Sequence, residues 1–278
     1  MSGETECEEF SEAAEQIELN RLLGEALTPI APQPGRRDAM QAGFMQRVAR
    51  SLADHAGLLT VRSKDGIWQT LTPGIRFKSL WSGSQGNSVL IEFAPGAALP
   101  FHRHHWLEEG IVLQGGLQMG DLELGLHDYH VSPAGSRHGS IRSRQGALAY
   151  LRGTSLGDNP SVWRELLGGL WPHGGDVSRT VHAAGNNGLE DVAEGVMRKE
   201  LCADDRLASR FYRLLPGARV PEHVHAQDEE CMMLEGELFL GDILLRAGEY
   251  QLAPAGSRHG EVYTDVGAIL FVRGARDY

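Results

Sequence analysis

The sequence predicts an all-β fold, two small barrels or sandwiches in tandem behind a short helical N-terminal segment. Three observations carry that prediction. The chain matches itself at an offset of 121 residues: Gly74 to Gly153 align with Gly195 to Gly274 without a gap, and 30 of 80 positions are identical. Short strand-like runs such as "NSVLIEFA", "GALAYLRG" and "GAILFVRG" lie between turn signals that recur every eight to twelve residues. The identical positions are mostly Gly, Pro, His and Glu, and glycine and proline recur where backbone geometry must recur.

The 278 residues suffice for one or two domains with a real core. Composition is that of an ordinary globular chain, with 41% hydrophobic and 23% charged residues. Net charge is −11, which argues against nonspecific binding to nucleic acid or to anionic membrane. No apolar run approaches the ~18 residues of a membrane span, and the opening "MSGETECEEF" lacks the features of a signal peptide. The three cysteines (Cys7, Cys202 and Cys231) are odd in number and widely spaced. A reducing, cytoplasmic compartment is the expectation, not a disulfide framework.

In chain order, residues 1–58 read as an acidic tail, a linker and a helix. Met1 to Glu25 holds eight glutamates and one arginine, a solvated and partly disordered tail by composition. "TPIAPQPG" is a proline-rich linker. "RDAMQAGFMQRVARSLADH" places Met40, Phe44, Met45, Val48 and Leu52 at steps of three and four, one face of an amphipathic helix. Residues 59–154 are the first repeat, 155–185 a connection with some helix or loop, and 186–278 the second repeat.

Each repeat carries the same potential ligands. The first reads Gly96, His102, His104, Glu108, Gly115; the second reads Gly217, His223, His225, Glu229, Gly236. Residues i and i+2 of a strand share a face, so His-x-His sets two imidazoles side by side, and a glutamate four residues on can reach the same point. A third imidazole, His138 or His259, follows 36 residues after the first, inside the octapeptides "SPAGSRHG" and "APAGSRHG". Three imidazoles and a carboxylate form a mixed N/O site for a divalent metal. Identity between the repeats is under 40%, yet all eight ligands are intact.

These residues resemble the cupin superfamily, whose first motif is Gly-x5-His-x-His-x3,4-Glu-x6-Gly. The second motif, Gly-x5-Pro-x-Gly-x2-His-x3-Asn, is matched by Gly248, Pro254, Gly256 and His259, with Tyr263 in place of the asparagine. The first repeat has His127 in place of the glycine and Arg142 in place of the asparagine. The resemblance implies tandem jelly-roll β-barrels. The x3 spacing, "PAGSRHG" and the lead-in "IWQTLTPGIRFKSL" are similar to ChrR-type cupin domains of anti-sigma factors over about residues 60–275. That family implies zinc, a role in sensing singlet oxygen or peroxides, and a sigma factor or other protein partner. One departure matters. ChrR-type proteins carry a His-x3-Cys-x2-Cys zinc motif before the cupin, whereas here Cys7 stands alone and no histidine precedes His55.

Two classes of function follow. One is a regulatory or sensory metal protein. The other is a metalloenzyme similar to oxalate decarboxylases, quercetin-type dioxygenases or cupins that cleave small diketones, with iron, manganese or nickel and open metal positions for a small oxygenated substrate. Trp106, Tyr129, Tyr250, Arg137 and Arg258 are candidates for a substrate pocket. Glu109 and Glu230 alternate away from the metal, toward the surface or a supporting role. His105, His127, His130, His173 and His182 read as exposed. Cys231 reads as a small core residue near the second site or, less expected, as a redox-sensitive thiol. A homodimer is compatible with this class.

Overall fold

The computed structural model describes residues 16–27, 33–157, 178–182 and 188–276. Cys7, His173 and the side chain of His138 fall outside them. The chain divides into two compact units, 1–53 and 54–278. In the first, residues 16–26 form a helix (α1) and Pro34–Asp54 a second (α2). Helix α1 gives ordered structure to residues 16–26 of the stretch whose composition reads as a solvated, partly disordered acidic tail. Its glutamates are spaced for local pairing, and Arg21 bonds both Glu18 and Glu25 at 2.6 Å. Helix α2 starts on Pro34, where a missing N–H costs nothing. Met40, Phe44, Met45 and Leu52 are exposed along it.

The second unit is built of antiparallel strands. The main ones in the first half are β1 (Leu59–Val61), β2 (Ile75–Gly83), β3 (Gly86–Phe93), β4 (Glu108–Gly115), β5 (Tyr129–Ser132) and β6 (Ala147–Thr154). In the second half they are β7 (Arg179–Val181), β8 (Val196–Ala203), β9 (Leu207–Leu214), β10 (Glu229–Leu240), β11 (Tyr250–Ala253) and β12 (Ala268–Ala275). One sheet runs β7-β5-β4-β6-β3-β2 and ends on Gln69–Thr72. The other runs β1-β11-β10-β12-β9-β8 and ends on Glu190–Ala193. The strand order is the same in both halves, as the duplication requires. Shorter strands, among them His102–Arg103 with Arg137–His138 and His223–Val224 with Arg258–His259, form the facing layers.

No continuous ring of hydrogen bonds closes either repeat into a barrel among the described residues; each is an open jelly roll. The facing layers are cut into two-residue strands by Pro100, Pro133, Pro221 and Pro254, which cannot donate to a ladder. Closure at the bends is by close backbone approach instead. At Gly236, with φ of 69 to 74° shared by its counterpart Gly115, a Cβ would lie 2.0 Å from a carbonyl oxygen of Gly267 (Gly146 for Gly115). Only glycine fits there.

Two of the three apolar cores lie inside single repeats, around Ile91 and Phe93 in the first and Leu214 and Leu270 in the second. The third joins them, packing Leu90, Ile111 and Tyr150 on Phe211, Met232 and Phe271. The repeats also exchange their first strands. β1 opens the first repeat yet pairs with β11 of the second, Leu59 opposite Leu252. β7 precedes the second repeat yet pairs with β5 of the first, Tyr129 opposite Val181.

A buried polar network crosses this junction, and it corrects the placement of Glu109 and Glu230 at the surface. Alternation does turn them away from the metal ligands, but into the inter-repeat core, where they are 1% and 3% exposed. Glu230 accepts from Tyr250 at 2.8 Å, Tyr150 at 3.0 Å, Arg152 Nε at 2.6 Å and the Ser88 hydroxyl. Glu109 accepts from Tyr129 at 2.6 Å and lies 3.5 Å from both Arg152 and Arg273. Burial opposes the charge on Arg152, yet Glu230 and Glu109 outweigh it and hold the guanidinium protonated above its ordinary range. Ser88/Ser209, Glu109/Glu230, Tyr129/Tyr250 and Arg152/Arg273 are all equivalent, identical positions. The network therefore accounts for identities between the repeats that the metal ligands do not.

Candidate metal centres

The octapeptide turn delivers the third histidine by a short ladder. In the second repeat His223 pairs with His259, His225 N–H donates to the Ser257 carbonyl at 3.0 Å, and Gly256 N–H donates to the His225 carbonyl at 2.8 Å. The first repeat repeats it: His102 pairs with His138, His104 with Ser136 at 2.9 Å, and Gly135 with His104 at 2.8 Å. The turn is kept because it locks the backbone of one ligand strand to the other.

In the second repeat, His223, His225, Glu229 and His259 bring their ligand atoms within 4.8 Å of one another, and all but His223 are buried. In the first, His102, His104 and Glu108 do the same. The His138 backbone stands opposite His102; its side chain is outside the described residues. The geometry of the two clusters agrees closely. The His-x-His rings sit 5.1 Å apart, edge to face, in each. His104 Nδ1 lies 3.5 Å from Glu108, and His225 Nδ1 lies 3.6 Å from Glu229.

The supporting hydrogen bonds orient the imidazoles. His102 and His223 direct Nδ1 to the carbonyls of Pro100 and Pro221 at 3.0 Å, which assigns Nδ1–H and leaves Nε2 as a donor to a metal. Gln251 Oε1 accepts from His259 Nε2 at 2.8 Å and so leaves Nδ1 of His259 unprotonated, 3.2 Å from His225 Nε2. Whichever neutral tautomer His225 takes, one of its nitrogens then presents a lone pair to another electron-rich atom, His259 Nδ1 on one side or Glu229 on the other. Among the described residues His225 Nδ1 has no hydrogen-bond partner. A metal cation among these atoms is one way to remove the conflict. The donor set fits a divalent metal, which would serve as a Lewis acid or a structural tie.

Gln251 is itself held by Thr60, whose Oγ1 accepts from Nε2 at 3.0 Å. Thr60 lies on the exchanged strand β1, so the first half of the chain supports the second half's site. The counterpart of Gln251 is His130, which bonds Thr180 of the exchanged strand β7 at 2.8 Å. Sequence reasoning missed Gln251 and Thr60; the only signal was that Gln251 and His130 lie eight residues before the third histidine. Gln251→Ala should weaken metal binding at the second site by about 10- to 100-fold, read by competition with a chromophoric chelator.

Burial, reinforced by His225 and opposed by Glu229, lowers the His259 pKa from 6.5 to about 4. Burial likewise lowers His130 to about 4, with His104 adding to the effect, and also lowers His102. A folded state that keeps these groups neutral is opposed by an unfolded chain that takes up protons near 6.5. Stability of the metal-free chain is therefore intact above about pH 6.5 and falls as pH drops toward 4, by up to about 1.4 kcal/mol per pH unit per histidine. Urea midpoints of chelator-treated protein at pH 7 and pH 5 check this; a higher midpoint at pH 5 would contradict it.

Other expected residues fall elsewhere. Tyr129 and Tyr250 are buried in the inter-repeat network, not in a pocket. Arg258 is exposed in an ion pair with Glu222 at 2.7 Å, Arg137 is exposed, and Trp106 meets the ring of the exposed His105 edge to face. None of the five lines the cavities beside the clusters. His127 is buried rather than exposed; with φ of 62° it keeps the left-handed turn that Gly248, at 81°, makes in the second repeat. His130 is half-buried near His104 and Glu108, also against expectation. His182 is exposed, as expected, and bonds Asp128 at 3.0 Å. Cys231 is buried beside Glu229, and burial followed by that carboxylate pushes its thiol far above the ordinary range. That suits a small core residue and disfavours a reactive thiolate.

Each cluster borders an apolar cavity within its repeat, about 230 Å³ in the first and about 380 Å³ in the second. No helix among the described residues is long and apolar enough to cross a membrane.

Comparison with known proteins places this geometry in a family. Residues 57–155 and 178–275 each match the family described as the ChrR cupin-like domain. The anti-sigma-E factor ChrR of Cereibacter sphaeroides is 31% identical over 113 residues, 38% of this chain and 49% of that protein, so the match spans about half of that relative's length. Among solved structures, a candidate dioxygenase from Nostoc punctiforme aligns over 79% of this chain and 83% of its own, with a TM-score of 0.60 and 18% identity. The oxalate decarboxylase of Lactobacillus farciminis, solved as a formate complex, aligns over 78% and 85%, with a TM-score of 0.55 and 14% identity. At those identities the structures establish the fold. Two such His/Glu clusters on a cupin scaffold imply a divalent metal. With both repeats matched, the chain belongs to the ChrR cupin-like family as a tandem cupin.

Proposed function

We propose that this protein is a cytoplasmic, metal-dependent regulator. His223, His225, Glu229 and His259 hold one divalent ion, and His102, His104, Glu108 and His138 hold a second. Zinc is the proposed metal, since four protein ligands can close a tetrahedral site without redox chemistry. The observation that carries the reading is the convergence of four ligand atoms within 4.8 Å in the second repeat, an arrangement that a cation would satisfy. The likeness to an anti-sigma factor supports a sigma factor as the partner. Residues 1–58 carry one cysteine and one histidine, so a Cys/His zinc module does not supply the contact within them. The exposed apolar residues of α2 are the surface proposed for it.

Biolayer interferometry against the sigma factors of the source organism tests this, with intact and chelator-treated protein. The expected result is one binder whose affinity shifts at least about tenfold on metal removal, a coupling of ordinary size. Failure of every sigma factor to bind would reject the partner. The enzyme reading draws support from the larger cavity beside the second cluster. Bound iron, manganese or nickel together with oxygen uptake on diketones or flavonols, or decarboxylation of oxalate, would favour it.

A further inference from the structure

The two repeats differ at one patch of cavity wall. In the first, the inward-facing positions of β2 and β3 are Ile75, Phe77, Ile91 and Phe93, all buried members of the apolar core. The equivalent positions in the second are Val196, Arg198, Tyr212 and Leu214. Val196 and Leu214 keep the core role, while Arg198 and Tyr212 place a guanidinium and a phenol on the wall of the second cavity. The two residues are cross-strand partners and share a side-chain hydrogen bond. No Asp or Glu lies within ion-pair distance of Arg198 among the described residues. The carboxylates of this cavity are otherwise engaged: Glu222 with Arg258 at 2.7 Å, and Glu229 with His225 in the metal cluster. Apart from Cys231 and the cluster residues His223 and His259, the rest of the wall is aliphatic.

A charged side chain on an apolar wall is costly unless something compensates it. A half-buried phenol beside it adds a second donor in the same place. We propose that the second repeat binds a small amphiphilic monocarboxylate, its head held by Arg198 and Tyr212 and its apolar chain in the 380 Å³ cavity next to the metal cluster. Pockets of this volume and lining, with few convergent polar groups, are the size that small ligands fill. The first repeat has neither donor and a smaller cavity, so it has no equivalent site. The inference rests on the reading above only in taking the second cluster as the site the ligand approaches.

Calorimetric titration of the full-length, metal-loaded chain with octanoate and with octanol tests it. Octanoate is expected to bind one per chain and octanol at least about tenfold more weakly, the scale of a hydrogen bond to a charged group. Arg198→Gln is expected to remove that difference, and Tyr212→Phe to reduce it. Metal content and melting temperature, measured on every variant, separate loss of the donor from loss of the fold. The same titrations on chelator-treated protein separate this proposal from the metal reading, because discrimination by Arg198 does not require the ion. Equal binding of octanoate and octanol, two octanoates per chain, no detectable octanoate binding, or an unchanged Arg198→Gln variant would overturn it.

Discussion

Arg152→Ala should lower the free energy of unfolding by about 3–5 kcal/mol, the usual result of stripping one partner from a buried ion pair. Arg152 Nε donates to Glu230 at 2.6 Å, with Glu109 3.5 Å from its Nη1. Without the guanidinium, two carboxylates remain deep between the repeats. Glu230 would keep hydroxyl donors from Ser88, Tyr150 and Tyr250, and Glu109 would keep Tyr129 and the more distant Arg273. Neither set supplies the lost charge for Glu230. The pair of substitutions Arg152→Met with Glu230→Gln should recover much of the loss, because the orphaned carboxylate goes with the cation. Urea denaturation measures both. A loss under about 1 kcal/mol for Arg152→Ala, the size of a surface pair, would mean that the network contributes little.

His225→Ala should remove the second site outright. His225 is almost wholly buried, meets His259 at 3.2 Å and is tied to the octapeptide turn through its backbone. A bound ion at 100 times its dissociation constant adds about 2.7 kcal/mol to stability. Metal added to the chelator-treated parent should therefore raise its melting temperature by several degrees. His225→Ala should retain only the first repeat's share of that rise, His104→Ala only the second's, and the double variant none. Equal metal-induced shifts in the parent and the double variant would show that stabilisation arises elsewhere.

The periodic features were legible in the sequence. A 121-residue repeat with glycine and proline at fixed places predicted a tandem β fold, and alternation along His-x-His predicted imidazoles on one face. The same alternation turned Glu109 and Glu230 away from the clusters, but it could not say whether that side met water or the other repeat. Strand exchange decided this, and exchange is invisible to local pattern: nothing in "LTV" at 59–61 names Leu252 as its partner. His127 was misread for a related reason. Lacking a counterpart histidine, it reads as exposed, while its backbone takes the left-handed conformation that Gly248 takes in the second repeat. Helix α1 was hidden by its acidity, since composition predicts disorder without weighing the pairing of Arg21 with Glu18 and Glu25. Arg198 and Tyr212 emerged only from comparing the same wall in both repeats.

Metal content per chain tests the central claim most directly. The protein should be purified without affinity metals or chelators and measured by inductively coupled plasma mass spectrometry against protein concentration. The expected result is about two equivalents of one divalent metal, falling to one in His225→Ala. Metal-free protein that takes up no zinc, iron, manganese or nickel on reloading would contradict the account.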